Sequence, residues 1–303
     1  MSLVACLDAG ILQHAELATL YPLLLPRLSD LGCAISACSA VEEIVERSSG
    51  VTSGLGLTRF VGRQKVEELI TGWVASTFVR ETMQDALERE DVDDDALAVM
   101  RLVCAIAEHF VGSYLFEPPP AASTVPALTL TSPETVHLLQ LLLMITTFPG
   151  HSGESYTVNE LATGVWMSLQ EEASDRGLVC GPGDGREGRT GHEHEWGVIQ
   201  PVFQALADGL RARAKRPPPP VFATWPKGAS RGALYDGAKT NAHLTDMVDA
   251  FRVHRSTTLS ETLLYAYYIL RDSMLGGLVS LADQQLSSPA PDLEVCLFFS
   301  VLL

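Results

Sequence analysis

Two short stretches of the sequence contain residue types that could do chemistry. The tetrapeptide His192-Glu193-His194-Glu195 offers metal ligands, and the stretch GPGDGREG at residues 181–188 has the glycine content of a phosphate-binding loop. The glycine-rich stretch lacks the Lys-Ser/Thr pair of a P-loop and follows no predicted strand. The metal-type ligands of the tetrapeptide are adjacent residues in a glycine-rich loop, which gives them no fixed geometry. An H-E-x-x-H motif is absent as well. We therefore predict no catalytic, cofactor or metal site, and a protein that is not an enzyme.

Acidic residues form a second pattern with chemical consequences. Residues 81–95 hold eight acids and one base, and a further group of acids lies on the helical stretch around residue 42. Charge runs are usually solvated surfaces, and that interpretation stays open. The alternative is a docking surface that attracts a basic protein through complementary charge. The residues predicted for this surface are Glu42, Glu43, Glu46, Asp91, Asp93, Asp94 and Asp95.

The composition of the whole chain favours the same class of partner. The 303 residues include 37 acidic and 21 basic side chains, which gives a formal net charge of −16. Such a chain repels phosphate backbones, so direct nucleic-acid binding is disfavoured and a basic protein partner is favoured. Hydrophobic residues make up 47% of the sequence, which excludes a globally disordered chain.

Cysteine usage and apolar runs indicate the environment of the chain. The six cysteines form no C-x-x-C pair, so we expect neither a zinc site nor a disulfide framework, and a reducing intracellular compartment. The N-terminus lacks the basic region of a secretory signal. The longest apolar run, Leu138 to Phe148, is shorter than the roughly 20 residues that a membrane-spanning helix needs. We therefore expect no membrane insertion.

Helical periodicity runs through most of the chain and predicts an all-α fold. The clearest case is Asp94–Phe116, in which apolar residues recur at steps of three and four while Asp94, Arg101 and Glu108 repeat every seven residues. One strand candidate, Thr124–Thr131, is interrupted by a proline. The other predicted helices are Glu16–Leu31, Ala34–Arg47, Thr58–Glu90 with a bend near Gly72, Pro133–Phe148, Val158–Ala173, Glu195–Arg216, Leu259–Leu286, and a last one beginning at Asp292.

Glycine and proline divide this helical chain. Residues 174–194 are predicted to be a glycine-rich disordered insertion, and residues 217–241 a proline-rich loop. Helix pairs then occupy residues 1–173, and further helices occupy 195–303. Antiparallel pairs without strands leave either a bundle or an α-solenoid. The pair spacing of about 40 to 60 residues favours one continuous solenoid of HEAT type, whose unit is near 40 to 47 residues.

Three segments carry a resemblance to a known family. Leu138–Glu172 contains a helix, a Pro-Gly turn and VWMSLQE around Trp166, and Val198–Pro217 reads VIQPVFQALADGL. Phe251–Leu278 begins FRVHRSTTLSETLLY, with Phe251, Arg252 and Arg255 at its start. In this order the segments resemble the importin-β (karyopherin-β) superfamily, specifically its importin-13 and transportin-3 branch. Weaker likenesses at Val99–Leu115 and Cys38–Ser49 extend the resemblance over most of the chain.

The resemblance implies an α-solenoid of HEAT (ARM-like) repeats, in which antiparallel helix pairs form a right-handed superhelix, here truncated at both ends. It implies part of a nuclear transport receptor that carries protein cargo through the nuclear pore under control of the Ran GTPase. Ran and nucleoporins would be partners of the full-length protein, which would shuttle between nucleus and cytoplasm. The second helix of each pair would line a concave, cargo-binding side.

A different class of protein remains as the alternative. The same helix pairs would serve a HEAT-repeat scaffold subunit of a complex unrelated to nuclear transport. The FR-x-x-R block at Phe251 favours the transport receptor, because a general HEAT repeat has no reason to carry it. An α-helical enzyme would need a convergent polar pocket, which the sequence does not indicate.

Overall fold

The computed structural model describes residues 14–30, 32–49, 60–118, 127–150, 153–179, 192–214 and 249–287, and these residues contain helices and no strand. The prediction of an all-α fold is therefore confirmed, and the strand candidate has no strand in its described part, residues 127–131. The α-helices are α1 (His14–Leu24), α2 (Ala34–Ser49), α3 (Arg63–Glu68), α4 (Thr77–Arg89), α5 (Asp94–Ser113), α6 (Pro133–Thr146), α7 (Gly153–Glu160), α8 (Thr163–Asp175), α9 (Glu193–Arg213), α10 (Ser260–Leu270) and α11 (Asp272–Leu286).

Shorter helical segments connect several of these helices. A 3₁₀ segment (Leu25–Ser29) continues α1, and a π-helix (Leu69–Val74) continues α3. A second π-helix (Arg255–Leu259) lies between helical residues 249–254 and α10. The first π-helix contains Gly72, so the long helix predicted over 58–90 does change geometry where a bend was expected. The predicted last helix, most of the glycine-rich insertion and the proline-rich loop lie outside the described residues.

Local capping explains where α5 begins and where α4 ends. Asp93 precedes α5 in an extended conformation, and its Oδ1 accepts a hydrogen bond from the Ala96 amide at 2.9 Å. This satisfies one of the free amides of the first turn. Glu90 closes α4 in the left-handed conformation, with φ of 51°, and its amide bonds back to the carbonyls of the last turn.

Three predicted helices are divided in the structure. The helix expected over 58–90 is interrupted at residues 75–76, where Ser76 caps α4 by accepting a hydrogen bond from the Val79 amide at 3.4 Å. The helix expected over 158–173 is interrupted at residues 161–162, and the helix expected over 259–286 is interrupted at Arg271, whose φ is 41°. At residues 161–162 the buried side-chain amide of Asn159 donates to the carbonyl of Ile145 on α6 and to that of Phe148 just after α6, at 3.0 and 3.2 Å. The apolar spacing continues across the breaks at 161–162 and Arg271, so periodicity alone does not reveal them.

One series of helices lies side by side in chain order. Helix α2 contacts α5, α5 contacts α8, and α8 contacts α10. Neighbours run parallel, because matched positions rise together along each pair. Glu108 of α5 lies against Gly164 at the start of α8, while Arg176 just after α8 donates to the carbonyl of Phe116 just after α5. Along α8 and α10, Glu160 just before α8 meets Thr258 just before α10 at 2.9 Å, and Glu171 further along α8 interacts with Tyr265 of α10. Along α2 and α5, Glu42 interacts with Arg101 and Glu46 with Glu108.

A second series packs behind the first. The π-helix Leu69–Val74 contacts α6, and α6 contacts α9. Helix α5 joins the two series, since it also contacts α4, α6 and this π-helix. Twelve of its residues are buried. The described residues thus form two rows of helices, and α5 belongs to the first row and contacts the second.

Helix α5 also has unusual composition. It is the one helix among the described residues that is long and apolar enough to cross a bilayer, a property that buried core helices of water-soluble proteins share. In this protein 67% of its most apolar window is buried inside the fold. Neighbouring helices therefore account for its apolar character.

Buried polar side chains fix the helices relative to one another. The Trp166 indole of α8 donates to Thr146 Oγ1 of α6 at 2.7 Å, and both side chains are buried. His109 Nε2 of α5 lies 2.8 Å from the carbonyl of Val61. The Arg63 guanidinium donates to the carbonyls of Glu117 and Leu128, at 3.0 and 3.4 Å, and so ties α3 to the connection between α5 and α6. Buried polar groups require such partners.

The substitution Thr146→Val tests the importance of the Trp166 contact. Valine keeps the shape of the side chain but leaves the buried indole N–H without an acceptor, so we expect a loss of about 1–3 kcal/mol in the free energy of unfolding, measured by urea denaturation. Thr147→Val is the matched control, because Thr147 Oγ1 bonds only within its own helix, to the carbonyl of Leu143 at 2.7 Å. Equal losses in the two variants would contradict the assigned role.

Candidate protein-binding face

Acidic residues from four neighbouring helices lie along the row formed by α2, α5, α8 and α10. We call this surface the acidic face and define it as Glu42, Glu46, Glu108, Glu171 and Glu261, with Arg101 among them. Glu46, Glu108, Glu171 and Glu261 are exposed, and Glu42 is half-buried. Because the helices are parallel and adjacent, acids far apart in sequence lie on one surface.

The acids of α2 interact unfavourably with one another. Burial raises the pKa of Glu42 above its usual range, and the charge of Glu46 adds to this effect. The pKa of Glu46 is also raised, first by burial and then by the charges of Glu43 and Glu108. Arg101 of α5 opposes both increases. The face therefore carries excess negative charge that Arg101, together with Arg47 beside Glu46, only partly offsets.

Glu108 extends the acidic face from α5 to α8. A Cβ added at Gly164 would stand 3.2 Å from the carboxylate atoms of Glu108, so glycine permits this close approach. Gly164 lies in the first turn of α8, and the residue that precedes this helix, Ala162, provides no capping side chain. A carboxylate at this position complements the positive end of the helix dipole.

The acidic character continues to α10. Tyr265 Oη donates to Glu261 Oε1 at 2.8 Å. The pKa of Tyr265 is raised to about 12, by burial, by this hydrogen bond, and by the charges of Glu261 and of Glu171 on α8. The phenol therefore stays protonated and adds no charge to the acidic face.

The structure separates the seven acids predicted from the sequence into different environments. Glu42 and Glu46 belong to the acidic face, while Glu43 is paired with Arg47 on the same helix. Asp95 is half-buried and lies near Glu42, since both charges raise the pKa of the buried Cys38 thiol. That thiol pKa reaches about 12, with burial as the largest cause.

The remaining three predicted acids lie at the turn between α4 and α5. Asp91 and Asp94 are exposed. Asp93 caps α5 and also accepts from Arg89 at 2.9 Å, and these bonds lower its pKa. Its carboxylate is therefore engaged within the fold and is less available to a partner than the sequence suggests.

The four family-motif residues occupy different positions. Trp166 is buried, and its ring meets Phe203 of α9 edge-on with centroids 6.0 Å apart. Phe251 is also buried and lies 6.4 Å from the ring of Tyr156. Arg255 stands over the Phe251 ring at 5.9 Å. Arg252 is exposed and pairs with Asp249 at 3.2 Å.

Sequence reasoning missed three members of the acidic face, namely Glu108, Glu171 and Glu261. The seven-residue repeat of Asp94, Arg101 and Glu108 could have identified Glu108. The positions of Glu171 and Glu261 on the face depend on the register between helices, which no local sequence pattern predicts.

The tetrapeptide His192–Glu195, which was predicted not to form a metal site, lies at the start of α9. His192 Nδ1 and Glu195 Oε2 are 2.6 Å apart, as an ordinary pair within one turn. In the part of the chain that the structure describes, no group of three or more His, Cys, Asp or Glu side chains is arranged to hold a metal ion.

Comparisons of the chain with protein-family models, curated proteins and solved structures found no match.

The raised pKa values of Glu42 and Glu46 predict how stability depends on pH. Between the ordinary glutamate pKa of about 4.3 and the raised values, the folded chain binds more protons than the unfolded chain, so these groups make stability fall as pH rises through that window. We expect Glu46→Gln to increase the free energy of unfolding at pH 7 by about 0.2–0.5 kcal/mol, because it removes a like charge four residues from Glu42. The increase should disappear as pH falls to the lower end of the window.

Chemical denaturation at pH 5 and pH 7 measures this difference. Glu81→Gln is the matched control, because Glu81 is exposed on α4 and lies outside the acidic face. A Glu46→Gln variant that is less stable than the parent chain at pH 7 would contradict the prediction.

Proposed function

We propose that this chain is part of a nuclear transport receptor of the importin-β type, a HEAT-repeat α-solenoid whose acidic face binds a basic protein cargo. The observation that carries the proposal is the acidic face itself, in which four parallel helices each contribute an exposed acid. A basic polypeptide laid across these helices would meet one acid on each.

The arrangement of the helices supports the solenoid. In a solenoid each repeat contacts only its neighbours, and equivalent helices of successive repeats lie in parallel rows. The order α2, α5, α8, α10 matches such a row, and the order Leu69–Val74, α6, α9 matches the second. The first row corresponds to the helices expected to line the cargo-binding side.

Electrostatics supports a cationic partner. Glu42 and Glu46 are partly removed from water beside other carboxylates, which disfavours their charged forms. Lysine or arginine side chains from a partner would relieve this repulsion. The partner would also be steered to the face by long-range attraction from a chain of formal charge −16.

The assignment to nuclear transport rests on the three resembling segments. Two of their residues, Trp166 and Phe251, serve as core contacts between helices. In the full-length protein, cargo release would then be controlled by Ran, passage through the pore would involve nucleoporins, and the protein would shuttle between nucleus and cytoplasm. No catalytic step and no cofactor is part of the proposal.

Charge reversal across the row tests the cargo-binding face. The test variant carries Glu46→Lys, Glu108→Lys, Glu171→Lys and Glu261→Lys, and the probe is a fluorescent arginine-rich peptide. We expect its affinity to fall by at least about tenfold at 50 mM salt, and the difference to shrink at 300 mM salt, where charges are screened beyond about 6 Å. Single substitutions should each have a small effect.

The matched control changes the net charge equally at positions outside the face, with Glu81→Lys, Glu88→Lys, Glu134→Lys and Asp283→Lys. If both variants lose the same affinity, the attraction comes from total charge and the acidic face is a solvated surface. If the parent chain does not bind the peptide at either salt concentration, the basic-cargo proposal is wrong.

A separate experiment distinguishes a transport receptor from a scaffold subunit. The chain is fused to a fluorescent carrier too large to diffuse through the nuclear pore, and the cytoplasm of expressing cells is bleached repeatedly. A shuttling protein brings the carrier into the nucleus and then loses nuclear fluorescence within minutes, whereas the carrier alone stays in the cytoplasm. Binding of the basic peptide without shuttling would favour the HEAT-repeat scaffold.

A further inference from the structure

A buried histidine holds a short non-helical segment against the centre of the fold. His109 of α5 is only 3% exposed, and its Nε2 lies 2.8 Å from the carbonyl oxygen of Val61. Because a carbonyl oxygen can only accept, the neutral imidazole carries its proton on Nε2, and Nδ1 is left with a lone pair. Nδ1 is buried and has no hydrogen-bond partner among the described residues. One ring nitrogen therefore bonds Val61, and the other makes no hydrogen bond there.

The segment that His109 holds, Phe60–Val61, also contacts the first two helices. Val61 is fully buried, and its amide donates to Ser48 Oγ near the end of α2 at 3.2 Å. The buried Phe60 ring meets the ring of Tyr21 on α1 edge-on, with centroids 5.8 Å apart. The segment therefore connects α1 and α2 to α5.

This packing accommodates the neutral imidazole of His109 and not the charged one. A proton taken from solvent would bind at Nδ1, which turns the lone pair into a second N–H donor and gives the ring a positive charge. Burial of a donor without an acceptor is unfavourable, and burial of an unpaired charge is more so. The charged ring is stable only where water can reach it.

The charges around His109 do not account for its protonation behaviour. Burial lowers the pKa of His109, and the hydrogen bond to Val61 opposes that effect. Helix α5 contacts α2, α3, α4, α6, α8 and the π-helix Leu69–Val74, and this π-helix contains no charged residue. The titratable side chains that the other elements bring to this part of α5, together with those beside His109, are Glu46, Arg47, Arg63, Lys65, Glu67, Arg80, Glu108, Tyr114, His137 and Arg176. None of them is among the causes of the shift.

We propose that His109 is a pH-sensitive switch that releases the Phe60–Val61 segment when its imidazole gains a proton. The charged ring reaches water once its cover moves, and this segment covers Nε2 without being held in a helix. Its release breaks the bond from Val61 to Ser48 and separates Phe60 from Tyr21, so α1 loses a contact with the rest of the fold. The switch uses no residue of the acidic face and is independent of the function proposed above.

The direction of the pH dependence follows from proton linkage. The pKa of His109 is lower in the closed fold than the ordinary histidine value of about 6.5, so the opened form binds the proton more readily. The contribution of His109 to the stability of the closed segment is therefore fully present above pH 6.5 and is lost as the pH falls below it.

Hydrogen exchange of the Val61 amide in the full chain tests this switch. Between pH 7.5 and pH 5.5 its protection factor, which corrects for the intrinsic exchange rate, should fall at least about threefold. The Trp166 amide bonds the carbonyl of Ala162 at 3.1 Å and serves as the internal reference, whose protection should not change.

The substitution His109→Gln removes the titrating group. The glutamine side-chain amide can donate to Val61 but cannot gain a proton, so the protection of Val61 should become independent of pH in this range. His137→Gln is the matched control, because His137 is a half-buried histidine on α6, and this variant should retain the pH dependence of the parent chain.

NMR titration of the His109 ring in the parent chain keeps the proposal testable if His109→Gln does not fold. The ring should gain its proton in the pH range in which Val61 loses protection. A ring that gains its proton while Val61 stays protected would overturn the proposal. Equal losses of protection at Val61 and Trp166 would overturn it as well, because they would indicate general acid denaturation, and so would a folded His109→Gln variant that keeps the pH dependence.

Discussion

The burial of α5 between α2 and α8 is the contact on which the rest of this structure depends. An amphipathic helix cannot cover its apolar face alone, and α5 is apolar around most of its circumference, so it needs neighbours on several sides. Helix α2 covers one side, α8 the other, and the second row covers the back. This leaves one narrow stripe for water, and that stripe carries Arg101 and Glu108.

The acidic face is a consequence of that packing. Parallel neighbours expose equivalent stripes on the same surface, so Glu46, Glu108 and Glu171 share one face although they lie far apart in the sequence. Such a surface destabilises the folded chain, because carboxylates that share a partly dry environment resist ionisation. Buried hydrogen bonds, such as Trp166 to Thr146 between the rows and Asn159 of α7 to the end of α6, hold the helices in register against this repulsion.

The sequence predicts the helices better than it predicts the site. Helix α5 begins at Asp94 as expected, because an apolar period and an aspartate cap are local signals. The breaks at residues 161–162 and at Arg271 are missed, because they leave the apolar period intact. The break at 75–76 is missed although Ser76 provides a local capping signal. The acidic run at 91–95 has a high density of acids, yet Asp93 caps α5 and is engaged within the fold. The packing of α5 against its neighbours places Glu108 on the acidic face instead.

The acidic face allows recognition that is distributed over many contacts. It is broad and shares its charge over four helices, so it suits a long basic segment held by many weak interactions. No single acid would carry much of the binding free energy, because exposed ion pairs each contribute little. Salt should therefore weaken binding at the acidic face strongly, because screening acts on every one of these interactions.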